Sequence, residues 1–170
     1  MKAKLLIGAL LAFFAFCGVL IVLLAHFRGA GAEGPAQPIA FSHPIHVETV
    51  GLDCAHCHAT ADRSRRPGMP SVALCMECHE QAAADRPEVR KLREHRDAGR
   101  PIEWARVYGL PWHVGFSHKP HIRAGVECAA CHGELRAQPR VRRVSSLEMG
   151  WCVGCHRDRT ADTDCWACHR

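Results

Sequence analysis

Five times the sequence reads Cys-x-x-Cys-His: Cys54-Cys57-His58, Cys75-Cys78-His79, Cys128-Cys131-His132, Cys152-Cys155-His156 and Cys165-Cys168-His169. Two thiols three positions apart can add to the two vinyl groups of one porphyrin, and the His that follows then falls beneath the iron as its proximal ligand. The spacing therefore predicts five covalently bound c-type haems. Zinc also uses Cys-x-x-Cys pairs, but it has no need of a His directly after each one. Disulfides suit an exported chain and leave the repeated His unexplained. With 13 His in 170 residues, five chance placements have odds of roughly one in several hundred thousand, so haem attachment prevails. The motifs use ten of the eleven Cys, leaving only Cys17 over.

A haem that only moves electrons has both axial positions filled, whereas a catalytic one keeps a position open. Beyond the five proximal His, eight remain: His26, His43, His46, His56, His95, His113, His118 and His121. Four of them recur as pairs, His43/His46 in FSHPIH and His118/His121 in FSHKPH, each just ahead of an attachment site. These four are expected to be distal iron ligands. His56, inside an attachment loop, and His95, on a charged helix, read as bystanders. For the fifth iron the expected ligand is Met149, in LEMGWC; the other two readings are His113, in LPWHVGF, and an open position. A Met would raise that haem's potential above its bis-His neighbours. An open iron would be the one foothold for catalysis, since no phosphate loop, nucleophile arrangement or poised carboxylate pair is present.

The elements that must position these groups follow from a duplication. FSHPIH leads to CAHCH and FSHKPH to CAACH, and each half then adds a second site, at Cys75 and Cys152, so the repeat is about 75 residues long. The halves are about 41–84 and 116–170, with the site at Cys165 appended to the second. Between them, in 85–107, Pro87 suits an early helical position and Gly99 a stop, which predicts a helix over 87–98 with Asp85 as a capping candidate. Its Arg90, Lys91, Arg93, Glu94 and Arg96 read as a solvated, salt-bridged face, or as a docking surface. Sustained periodicity is absent elsewhere, so short helices, many loops and little sheet are expected.

Only 6% of the chain is aromatic. Residues 41–170 give 26 residues per haem, so the porphyrins themselves are expected to form the core, packed closely enough for electrons to hop between them. Basic residues are spread along the chain, which disfavours nucleic-acid binding. Ten ionised propionates and five ferric centres take the formal +5 of the chain to about zero, and to about −5 on reduction.

Leu5 to Ala25 are 21 consecutive uncharged positions behind Lys2 and Lys4. At about 1.5 Å per residue they reach about 31 Å, enough for a hydrocarbon core of about 30 Å. A cleavable signal has a shorter apolar region of about 7–15 residues, so residues 1–28 are expected to be an uncleaved anchor; the small-residue pattern at Ala30 and Ala32 is the mark of the cleaved alternative. Gly29–Ala40 reads as a flexible linker and 41–170 as the exported haem domain. Cys17 reads as a buried apolar thiol, and His26 marks the membrane interface, where a role near a quinone is the sharper reading.

The F-x-H-x-x-H lead into Cys-x-x-Cys-His resembles the class III multihaem cytochromes c. That resemblance implies that His43 caps the haem at Cys54 and His118 the haem at Cys128, while His46 and His121 cross to other haems. GLDCAHCHATADRSRRPGMPSVALCMECH, RPIEWARVYGLPWHVGFSHKPHIRAGVECAACHG and SLEMGWCVGCHR further resemble the membrane-anchored pentahaem cytochrome subunit of bacterial alternative complex III. It implies a mainly α and irregular multihaem fold: two duplicated haem-pair modules behind one N-terminal transmembrane helix. It also implies a non-enzymatic relay on the periplasmic face of the inner membrane. Its partners would be the iron–sulfur and polytopic membrane subunits of a respiratory quinol-oxidising complex, and its acceptor a cytochrome c or terminal oxidase. The alternative is a self-contained small quinol dehydrogenase feeding a periplasmic reductase.

Overall fold

The computed structural model describes residues 2–30 and 34–169 and divides the chain into two compact units, Met1–Gly34 and Pro35–Arg170. In the first, helix α1 spans Lys2–Ala30. Its Lys4–Ala25 stretch, 22 residues with a mean hydropathy of 2.9, is long and apolar enough to cross a membrane, and none of it is buried against protein. A helix that is apolar all round and uncovered is what a lipid span requires. Cys17 lies within it. The His26 side chain and Ala32 fall outside the described residues.

The second unit is helical. Helices α2 (Cys54–Cys57), α3 (Val72–His79), α4 (Pro87–Asp97), α5 (His118–Arg123), α6 (Ala129–His132), α7 (Met149–Asp158) and α8 (Cys165–Cys168) alternate with loops, a π-helical turn at Pro44–Thr49 and a 3-10 turn at Leu135–Ala137. Among the described residues the one β-type pairing is an isolated antiparallel bridge between Val114 and His169. Each attachment motif makes its own short helix or lies in one. The i to i+3 spacing of its two Cys brings both thiols to one side of a single turn.

Helix α3 starts at the Ser71 cap, whose hydroxyl accepts from Leu74 N at 3.1 Å. Helix α4 starts with Pro87 in its first turn; Arg86, not Asp85, stands at the cap, and the helix ends one residue short of the expected Ala98. The charged face of α4 is used internally. Arg93 Nη2 donates to the carbonyls of His79 (3.2 Å) and Glu80 (2.8 Å), and Arg96 binds Glu80 at 2.5 Å and Asp97 at 2.7 Å. Cations thereby close the carbonyl end of α3, where the helix dipole favours them.

The linker expectation needs correction. Gln37 clamps Ala105 from both sides, its amide donating to the carbonyl (3.0 Å) and accepting from the N–H (2.9 Å). Ala40 N donates to Glu88 at 2.6 Å, and Ile39 is buried with Met76 and Leu92. Residues 35–40 are thus part of the haem domain. Their Pro and Gln content mimics a tether, but the partners that hold them lie 48 and 68 residues downstream.

That small cluster, flanked by Val72, Cys75, Ile102 and Trp104, contains most of the buried apolar side chains; Val89 is the other one among the described residues. Leu92→Ala removes a central member. Large-to-small core changes of this kind cost about 2–5 kcal/mol, so a clear fall in the thermal midpoint of the haem-loaded protein is expected. An unchanged midpoint would show that this cluster carries no stability.

Candidate haem sites

Three of the four repeated His are oriented by a backbone carbonyl, and His46 and His121 have the same geometry in the two halves. His46 Nδ1 lies 2.9 Å from Ser42 O, and His121 Nδ1 lies 2.8 Å from Ser117 O. Phe41 sits edge-on to His43 at 4.9 Å and 84°, and Phe116 sits edge-on to His118 at 4.9 Å and 84°. His118 Nδ1 is held at 2.9 Å by Arg65 O, from the other half. Proximal residues are oriented likewise: His58 Nδ1 by Gly68 O (2.8 Å), His79 by Ala82 O (3.0 Å) and His156 by Asp162 O (2.5 Å). A Nδ1–H donated to a carbonyl fixes the tautomer, turns the ring and leaves Nε2 for a metal. His43 differs, since its Nδ1 is buried without a hydrogen-bond partner.

The rings then pair. His46 faces His79 with centroids 6.0 Å apart, His121 faces His156 at 5.9 Å, and His118 stacks on His132 at 6.3 Å and 10°. His43 is pushed down to about 4 by burial, then by the neighbouring His58 and His46. His132 is lowered by burial, then by His118 and His58. Neutral imidazoles are the form that binds metal.

The fifth proximal residue, His169, is met by His113 at 5.7 Å and 18°. The antiparallel bridge between Val114 and His169 and a 2.6 Å bond from Gly115 N to Cys168 O hold the two segments together. This differs from the expectation for Met149. That residue opens α7, is 68% exposed, and shares its helix with the proximal His156. The expected bystanders hold other places: His56 is exposed in α2, and His95 Nδ1 bonds Pro101 O at 3.1 Å behind α4. Tyr108, which the sequence did not single out, packs edge-on to His132 at 4.5 Å and ties Arg142 O and Val144 N with its hydroxyl.

Two imidazoles bound to one iron, with metal–nitrogen bonds of about 2 Å and about 1.1 Å more to each ring centre, have centroids about 6 Å apart. The four measured pairs have that separation. Among the described residues no group of three or more His, Cys, Asp or Glu converges on a bare ion, and no two cysteines are joined in a disulfide. That donor set does not fit zinc staples; together with the sparse aliphatic core, it fits haem.

The sequence profile described as "Cytochrome c7 and related cytochrome c" matches residues 39–98 and 114–170. The chain belongs to this family. It is a cytochrome c7-like multihaem electron carrier with covalently bound c-type haems, helical and without a sheet among its described residues. It is also 35% identical, over 129 residues, to the protein named "Menaquinone reductase, multiheme cytochrome c subunit" of Nitratidesulfovibrio vulgaris. The match covers 75% of this cytochrome and 54% of that protein, so the chain spans about half the length of the curated relative it matches.

Gly68 holds His58, the candidate proximal ligand of the first motif, in place. Its φ is +79°, and an added Cβ would lie 2.9 Å from Thr60 Oγ1. A left-handed conformation costs a non-glycine residue about 1–2 kcal/mol. Gly68→Ala is therefore expected to shift the carbonyl that holds His58, seen as a moved potential for one haem together with lower stability. An unchanged titration curve would remove Gly68 as a positioning residue.

Proposed function

We propose that this cytochrome is a five-haem electron relay with every iron held between two His: His43/His58, His46/His79, His118/His132, His121/His156 and His113/His169. Support comes above all from the second His that faces four of the five His of the attachment motifs; His43 is assigned to His58 by the repeat, in which it corresponds to His118. Haems held in this way supply one-electron redox chemistry with no iron position left for substrate. The polypeptide provides the thiols, the ligands and the carbonyls that orient them. Helix α1 anchors the chain in the inner membrane, with the haem domain on the periplasmic face.

In this proposal the chain serves a quinone-linked membrane assembly of the alternative complex III kind, beside iron–sulfur and polytopic subunits. It receives electrons from quinol oxidation and passes them to a cytochrome c or terminal oxidase. The name of the menaquinone reductase relative favours a second direction, toward quinone. Extraction from native membranes in mild detergent, with a haem-to-protein ratio on the same sample, tests the proposal. Five haems and recovery with iron–sulfur and polytopic subunits is the expected result. Recovery alone, with direct reduction by a quinol analogue, would make it a self-contained quinol dehydrogenase. Reduction of its haems by quinol within the complex, against reduction of menaquinone by an exported donor, separates the two directions.

A further inference from the structure

We propose that Tyr108 is a positioning residue for electron transfer: its ring keeps the imidazole of His132 parallel to that of His118, and its hydroxyl pins the loop that holds the His132 backbone. The proposal rests on the His118/His132 pairing put forward above.

The four facing pairs are of two kinds. The ring planes of His46 and His79 cross at 60°, and those of His121 and His156 at 53°. The planes of His118 and His132 are nearly parallel, at 10°, as are those of His113 and His169, at 18°. In both crossed pairs a carbonyl sits at the Nδ1 of each ring, Ser42 O and Ala82 O in one, Ser117 O and Asp162 O in the other. His118 is held in that way too, by Arg65 O. His132 has a different neighbour. The ring of Tyr108 packs edge-on against it, with centroids 4.5 Å apart and planes at 68°. Aromatic quadrupoles favour this edge-to-face arrangement, and a flat ring so close opposes rotation of the imidazole about its Cβ–Cγ bond.

Tyr108 stands 24 positions before His132 and is itself fixed by the chain that follows His132. Its hydroxyl donates to Arg142 O (3.1 Å) and accepts from Val144 N (3.3 Å). The same loop closes on the backbone of the attachment motif. Gln138 is buried; its amide donates to His132 O (3.2 Å) and accepts from Arg142 N (3.3 Å). Ser145 Oγ donates to Cys131 O at 2.8 Å. Gly133 permits the reversal that brings the loop back: its φ is +66°, and an added Cβ would lie 3.0 Å from Val144 Cγ2. The phenol thus joins the ring of His132 to the loop that holds its backbone. Contacts made one step out from a metal's ligand orient that ligand and tune the metal.

The angle between two axial imidazole planes sets how the d orbitals of a low-spin ferric iron split. Crossed and parallel pairs therefore give separate electron paramagnetic resonance signals, the crossed ones at lower field. The test records these spectra and a redox titration for the haem-loaded full chain and for its Tyr108→Leu and Tyr108→Phe variants. Leucine keeps apolar bulk without the flat ring, whereas phenylalanine keeps the ring without the hydroxyl. Tyr108→Leu is expected to move one parallel-type signal to lower field and to shift one component of the titration. Tyr108→Phe is expected to retain the wild-type signal, while trypsin cuts faster at Arg142 and Arg143. Were Tyr108 only a packing residue, Tyr108→Leu would lower the thermal midpoint and move neither signal nor potential. That result, an equal signal shift in Tyr108→Phe, or unchanged cleavage of Tyr108→Phe would overturn the proposal. A wild-type spectrum without a parallel-type signal would overturn the His118/His132 pairing itself, and this proposal with it.

Discussion

In the five-haem relay proposed above, His113→Ala, matured with its haems, is expected to turn one low-spin haem into a high-spin one, while Met149→Ala leaves every haem low-spin. The reason is local geometry. His113 is the ring stacked on His169 at 5.7 Å, and the bridge at Val114 and the Gly115–Cys168 bond keep it there. Met149 is 68% exposed at the start of α7. Electron paramagnetic resonance counts the spin states directly. His113→Met completes the test, because replacing an axial imidazole by a thioether raises the potential. A rise of on the order of 0.1 V in one component is expected, within the roughly 0.8 V that axial ligands span. If Met149→Ala gave the high-spin signal and His113→Ala did not, the assignment would pass to Met149.

The same chain exported without haem maturation is expected to show no cooperative unfolding transition by circular dichroism. Ordering a backbone costs about 1–2 kcal/mol per residue, and apolar burial is the main term that offsets it. Among the described residues after Pro35 the buried apolar side chains are Ile39, Met76, Val89 and Leu92, and no large side chain is fully buried. Trp112 is 93% exposed and Trp166 78%. A polypeptide with so little of its own core needs the attached porphyrins as packing material, and needs their irons to draw segments together. A sharp melt of the haem-free chain would show that the polypeptide closes its own core after all.

Attachment chemistry is legible because it is local: both thiols and the proximal His lie within five consecutive residues, and one helical turn brings them together. The repeated His stand out through duplication, and the apolar run of α1 through length alone. The helix beginning at Pro87 was legible because its Pro and Gly act within a turn of where they stand. Its charges were not, since their partners include the carbonyl end of α3. The tether misread at 35–40 is of the same kind, for its composition contains no trace of Ala105.

By itself the sequence determined the five Cys-x-x-Cys-His motifs and their His, and that one segment is long and apolar enough to cross a membrane. Only the tertiary structure decided which ring faces which. His113 and His169 are 56 positions apart and meet through a backbone bridge that no periodicity announces, whereas Met149, close to an attachment site in sequence, is exposed at the start of α7. Contacts that close long loops depend on the whole fold, and a motif of five residues cannot encode them.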